Sequence, residues 1–460
     1  MGMNETVDNQ IEKADNPEFF YFEKYKLEKE ATKTMVWLKR GVWAYFILLI
    51  FEGALRKWFL PMLATPLLII RDPLALWLIF VSLRNNVYRW NTEAIWMVTI
   101  ASIGLVAALI VGHKNLWVAI YGARIFWLHF PLIFVIGRIF NREDVLKVGN
   151  VVLWIGLPMT ILIGLQFYSP QSSWVNRGVG GNVKGAGFGG ALGYFRPPGT
   201  FSFTNGTTLF YGFLAAYLFY FWINTKNVNI ILLAVNSACL LAAIPLSISR
   251  GLFFQVGVSI LFATMAVIRK PKYVGKIVIV GVIAMISLVF LSKAEFFNTA
   301  TLAFTERFTT ANEAEGGLDG VLGDRYLGGM IGALKNSADE PFFGYGIGLG
   351  TNVGSMLTAG DTTFKIAEEE WARMIGELGP LLGLMAISIR VIVSVKISLA
   401  SYKKLAKNDI LPWMLLSFGL LTVPQAQWAQ PTSLGFSILI GGLMVASLRN
   451  PPKETAVNNS

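Results

Sequence analysis

EEEWARMIGELGPLLGLMAISIRVIVSV, residues 368–395, joins three consecutive carboxylates to an apolar run over 378–395. A run of that length is near the roughly 20 residues a helix needs to cross a bilayer. Charge so close to a membrane-length helix is costly unless it is paired or faces water. Upstream, residues 293–377 form a polar connection far longer than ordinary loops, a length uncommon unless the segment is functional or disordered. Trp371, Phe342, Phe343 and Tyr345 stand there among Gly, Arg and acidic residues, so the connection reads as an ordered, working loop.

Outward from this stretch the same apolar pattern recurs. Runs at 41–60, 67–83, 93–112, 116–137, 147–167, 207–223, 228–247, 251–268, 277–291, 410–428 and 432–448 complete a set of about twelve expected spans. A composition of 54% hydrophobic and 15% charged residues with a mean hydropathy of +0.55 supports the class. The chain is expected to be all-α, a polytopic membrane helical bundle with one large outer loop containing short helices. Residues 1–40 are charged and lack an early apolar core, so the first span is expected to direct insertion.

The net charge of +11 does not imply nucleic acid, because the basic residues gather in short connections such as GRIFNRED, VIRKPKYVGK and SYKKLAKND. Lys and Arg concentrate in cytoplasmic loops. With twelve spans and both termini cytoplasmic, the basic short loops fall inside and the long loops 168–206 and 293–377 fall outside. The expected organisation is a cytoplasmic segment 1–40, a membrane domain 41–450 and a cytoplasmic tail 451–460. No fixed-period repeat or matched pair of broken helices of the transporter kind is visible. The single cysteine, Cys239, rules out an intramolecular disulfide.

The glycine-rich stretch 178–193 lacks the GxxxxGK[ST] that a phosphate loop requires, so it reads as a connection. RPPGTFSFTNG, residues 196–206, is more telling, because two prolines stiffen the backbone beside Arg196. Arg250 closes an apolar run at SISRG, either as a snorkelling interfacial arginine or as a ligand contact. Arg325 and Arg373 complete the strong positive features expected outside. Arginines gathered on one cavity suit a pyrophosphate, because the guanidinium binds phosphate oxygens bidentately and stays charged.

Other charges lie within spans. Glu52 and Arg56 are spaced to share a helix face, with Arg71 and Asp72 opening the next span. They serve either to lock the first two helices together or to line a transport path. Arg124 and His129 have no local partner in sequence, and His129 reads as a satisfied interior histidine. If helix begins near Ala367, Glu369 and Arg373 form an i,i+4 pair.

Taken in order, RPPGTFSFTNG, SISRG, and RYLGGMIGALKNSADEPFFGYGIGLG (residues 325–350) resemble the O-antigen ligase and O-antigen polymerase family of bacterial envelope glycosyltransferases. The resemblance spans most of the chain and includes the late, large outer loop. It implies a donor glycan on undecaprenyl pyrophosphate at the outer face of the bacterial inner membrane, and an acceptor glycan or lipid. Arg196 and Arg250 would hold the pyrophosphate, with Arg325 and Arg373 as further substrate contacts. The family's ligases carry a histidine about eleven residues before the Gly of an E-x-G helix start. Counted back from Gly379, that position is Glu368, and the only histidines here are His113 and His129. Glu368 is therefore the expected catalytic carboxylate, with Glu369 or Glu370 in its place if the register differs. No metal and no cofactor are expected. The missing histidine favours a polymerase over a ligase, and a lipid-linked oligosaccharide flippase is the alternative from another class.

Overall fold

The computed structural model describes residues 17–269, 274–315, 329–359, 366–367 and 369–449. Among these there is no strand, only an isolated bridge between Gly189 and Phe195. The helices are α1 (Pro17–Ala54), α2 (Arg71–Arg84), α3 (Thr92–Ile110), α4 (Leu116–Arg124), α5 (Phe130–Ile139), α6 (Arg142–Tyr168), α7 (Thr204–Ile223) and α8 (Ile230–Leu246). They continue with α9 (Arg250–Ile268), α10 (Val274–Ser292), α11 (Glu295–Glu315), α12 (Gly329–Lys335), α13 (Asn352–Ala359), α14 (Glu370–Ala406), α15 (Leu411–Gln425) and α16 (Pro431–Arg449).

Each of the twelve apolar runs falls on a helix. Among the described residues, nine helices are long and apolar enough to cross a membrane, or ten if a pair bent by 101° after residue 292 counts as one span. α8 and α15 are shorter apolar helices. The chain is thus a multi-pass membrane protein. Helix starts follow local chemistry: Asn141 and Asp144 form a reciprocal capping box at α6, and Asn115 and Ser249 cap the first turns of α4 and α9.

α7 and α16 are the central helices, with 83% and 78% of their apolar windows buried, against 39% for α3, α6 and α9. Lipid tails are as apolar as leucine, so helices associate through close packing. Small residues provide it where α5 meets α16: Gly137 faces Val445, and Gly442 faces Ile136.

The two ends of the bundle differ. At one, Lys39 pairs with Asp144 at 2.6 Å, Arg142 with Asp409 at 2.7 Å, and Arg449 donates to the Gly137 carbonyl at 2.8 Å. At the other, the starts of α7, α9, α14 and α16 and the last turn of α15 converge on one cavity.

Candidate functional site

The segment after Arg196 is held on every side. Gly199 takes a positive φ of 60°, and its N–H and carbonyl bond the Gln166 side chain at 2.7 and 3.1 Å. Lys57, buried in a π-helical turn over Leu55–Phe59, donates to the same carbonyl at 2.6 Å. Thr200 donates to the Ile50 carbonyl at 2.6 Å, Arg56 to Ser202 Oγ at 2.9 Å, and Thr207 to the Pro197 carbonyl at 3.1 Å. A Cβ on Gly53 would strike the backbone of 200–202, so the helix passes directly against this segment. Arg196 therefore sits on a backbone fixed by α1, α6 and α7, as its two prolines foretell.

Arg250 occupies the first turn of α9. The preceding Ile248 adopts a φ of 45°, and Ser249 both accepts the Leu252 N–H and bonds Thr208 of α7. Arg196 and Arg250 line one cavity of about 770 Å³ together with Arg307, Glu369 and Glu370. This size lies within the range of small-molecule sites. Amides and hydroxyls of Asn205, Gln425, Gln427 and Ser433 complete the polar wall, and Phe254, Val258, Phe418 and Leu421 carry the cavity into the apolar bundle. Arg307, on α11, also donates to the Gly189 and Gly190 carbonyls at 3.3 and 3.1 Å, tying the glycine-rich loop to the cavity rim.

The acidic run divides sharply. Glu368 lies outside the described residues, as does Arg325. Glu369 is exposed at the N-cap of α14 and faces the cavity. Glu370 is buried and fully engaged: Arg373 donates to both of its oxygens at 3.0 and 2.9 Å, Arg390 donates at 2.6 Å, and the Trp428 N–H at 3.0 Å. Arg373 also pairs with Glu377 at 2.7 Å. The expected Glu369–Arg373 pair does not form. The backbone of Glu369 has a ψ of 137°, outside the helical register, and it meets Arg373 through its carbonyl, which accepts the Arg373 N–H at 2.9 Å. Arg373 is thus a buried charge neutralised by two carboxylates and is not among the residues lining the cavity.

α14 begins at Glu370, well before the apolar run at 378–395, and breaks at Gly379, whose φ of 81° and ψ of 168° are non-helical. The Gly-x-Gly-x-Gly chain at 344–348 crosses this break. Tyr345 and Gly346 donate to the carbonyls of Gly376 and Glu377 at 2.7 and 3.1 Å, while Glu377 accepts the Gly350 N–H at 2.9 Å.

The charges in the first four spans form a separate network. Arg71 bonds Glu52 at 3.1 Å, and Arg124 and His129 both reach Asp72 at 2.9 Å, which supplies the partner their own segment lacks. Tyr45 lies 3.2 Å from the other ring nitrogen of His129. His113 bonds the Ile347 carbonyl at 3.1 Å. None of these residues lines the large cavity.

Two participants escape sequence reasoning. Arg307 sits between Phe304 and Phe308, which pack against Phe253 beside Arg250. Only that aromatic flanking marks it in sequence. Arg390 lies inside an apolar run, and the principle that singles out Glu52 and Arg71 applies to it equally. Among the described residues no group of three or more His, Cys, Asp or Glu is arranged to hold a metal ion. No protein-family model matches the chain, and no curated protein matches it.

Proposed function

We propose that the protein is a glycosyltransferase of the O-antigen polymerase kind, working with twelve spans and its large cavity on the outer face of the bacterial inner membrane. It transfers glycan from undecaprenyl pyrophosphate to an acceptor sugar hydroxyl. One observation carries the reading. Arg196 and Arg250, which come from different connections of the chain, line a single cavity at the end of the bundle with Glu369 and an apolar extension between α9 and α15. In the reaction the acceptor oxygen attacks the anomeric carbon, the bond from that carbon to the pyrophosphate oxygen breaks, and the leaving group takes the electron pair. Fixed guanidinium groups stabilise the charge that develops there, and a carboxylate at the cavity rim takes the acceptor proton.

The carboxylate best placed among the described residues is Glu369. Glu370 already accepts from two arginines and a backbone N–H, which makes it a poor proton acceptor. Both histidines are engaged elsewhere, which favours polymerase over ligase. A flippase reading would use the charges of the first four spans as a path. Instead Glu52, Arg56, Arg71 and Arg124 are buried and Asp72 is half-buried, they pair with one another, and none of them lines the cavity.

Deleting the gene and examining lipid-linked and surface glycans tests the reading. Single repeat units should accumulate on the lipid carrier, and Arg196→Ala or Arg250→Ala should reproduce this with transfer reduced by about 10²–10³-fold. Polymer of normal length from both variants would overturn it.

A further inference from the structure

A second cavity of about 310 Å³ lies beside the first, between α12, the turn that follows it and the start of α14. Glu369 borders both cavities, and α12 contributes Met330 to the larger and Gly332 and Ala333 to the smaller. Asn336 and Glu340 line the small cavity together with Ala333, Ala372, Ile366 and Ile375. Glu340 Oε2 is buried there without a hydrogen-bond partner among the described residues. A buried carboxylate oxygen left unmade is costly, and a hydroxyl donor entering the cavity would satisfy it.

We infer that the small cavity is the acceptor subsite, which holds the terminal sugar of the acceptor glycan with its hydroxyls on Glu340 and Asn336. The inference rests on the glycosyl-transfer reading above and adds the place of the second substrate. The chemistry of the shared wall supports it. The leaving pyrophosphate needs the arginines, and all three described arginines of the site belong to the larger cavity. The attacking oxygen must come from elsewhere and must pass its proton to a base as it bonds the anomeric carbon. Among the described residues Glu369 is the one carboxylate that borders both spaces, so a sugar held against Glu340 would present a hydroxyl to it. The lining differs in the same sense: the larger cavity continues into a long apolar wall, while the smaller sets an amide and two carboxylates among small residues, Ile366 and Ile375. Its volume is at the lower limit of small-ligand pockets. That is room for a sugar residue and no lipid.

Two-substrate kinetics in lipid nanodiscs test the assignment. The donor is lipid-linked glycan extracted from the deletion strain, and the acceptor is a short glycan released from the same surface polymer. Glu340→Ala and Asn336→Ala should each raise the acceptor KM by about tenfold or more, with the donor KM within about twofold of wild type. Asn336 is exposed, so its variant is expected to fold even if Glu340→Ala does not. Ala372→Phe, which fills the cavity without removing a polar group, should act in the same direction. Unchanged acceptor KM in the folded variants, Asn336→Ala included, would overturn the acceptor subsite and leave the transfer reading standing. If Arg196→Ala and Arg250→Ala transferred as well as wild type, the transfer reading would fall and the subsite with it.

Discussion

Adjacent carboxylates at the start of α14 have opposite duties, and the difference follows from one turn of backbone. Glu369 is still extended and keeps its side chain in the cavity, whereas Glu370 is the first helical residue and points inward to Arg373 and Arg390. Removing one member of a buried ion network strands the others. Glu370→Gln should therefore lower stability by about 3–5 kcal/mol. Glu369→Gln, at an exposed site, should leave stability within about 0.5 kcal/mol while slowing transfer by about 10²–10⁴-fold. Thermal unfolding of purified protein, read beside glycan transfer, separates the two. Equal loss of stability in both variants would contradict this division. From sequence Glu368 comes first, with Glu369 or Glu370 in its place if the register differs, and nothing ranks those two, because the register of a helix start cannot be fixed when acidic residues suit every position of a first turn. What distinguishes them is Arg390, twenty residues along the same helix, and the Trp428 N–H from the connection before α16.

At the scale of elements, the break in α14 is what lets a loop cross a membrane helix. Gly379 takes a conformation open to glycine, and a Cβ there would fall on the Phe342 carbonyl oxygen. Gly379→Ala should cost about 1–3 kcal/mol through strain at positive φ, with further loss as the 342–350 chain is displaced. A melting temperature within a degree of wild type would show that the crossing is not built as described. The apolar runs are legible in sequence because each is a long, local signal, and all twelve fall on helices. The stiffness of RPPG is legible too. The crossing is not, since it joins residues some thirty positions apart, and neither the glycines nor Gly379-Pro380 announces its partner. Lys57 is hidden for the same reason: nothing near it in sequence announces that it is buried and bonds a carbonyl of the arginine loop.

For the whole molecule, the question is which way the cavity faces. The end opposite the cavity gathers Arg138, Arg142, Arg269, Lys403, Lys404 and Arg449, and lysine and arginine bias that end toward the cytoplasm. The alternation holds only if α8 and α15 also cross. At 1.5 Å per residue they are about 25 and 22 Å long, short of the roughly 30 Å of hydrocarbon. A short span is accommodated by local thinning of the bilayer, at a modest cost. α15 packs on α7, α9, α14 and α16, and α8 on α6, α7, α10 and α11, which keeps most of their surface from lipid. Cysteine accessibility decides the matter cleanly because the sole native cysteine, Cys239, is buried. In intact spheroplasts a membrane-impermeant maleimide should label Lys184→Cys, in the glycine-rich loop at the cavity end. It should label Lys226→Cys and Lys403→Cys only after permeabilisation. Labelling of Lys226→Cys and Lys184→Cys from the same side would mean that α7 does not cross. A full inversion would put the arginines in the cytoplasm, where a donor presented at the outer face could not reach them.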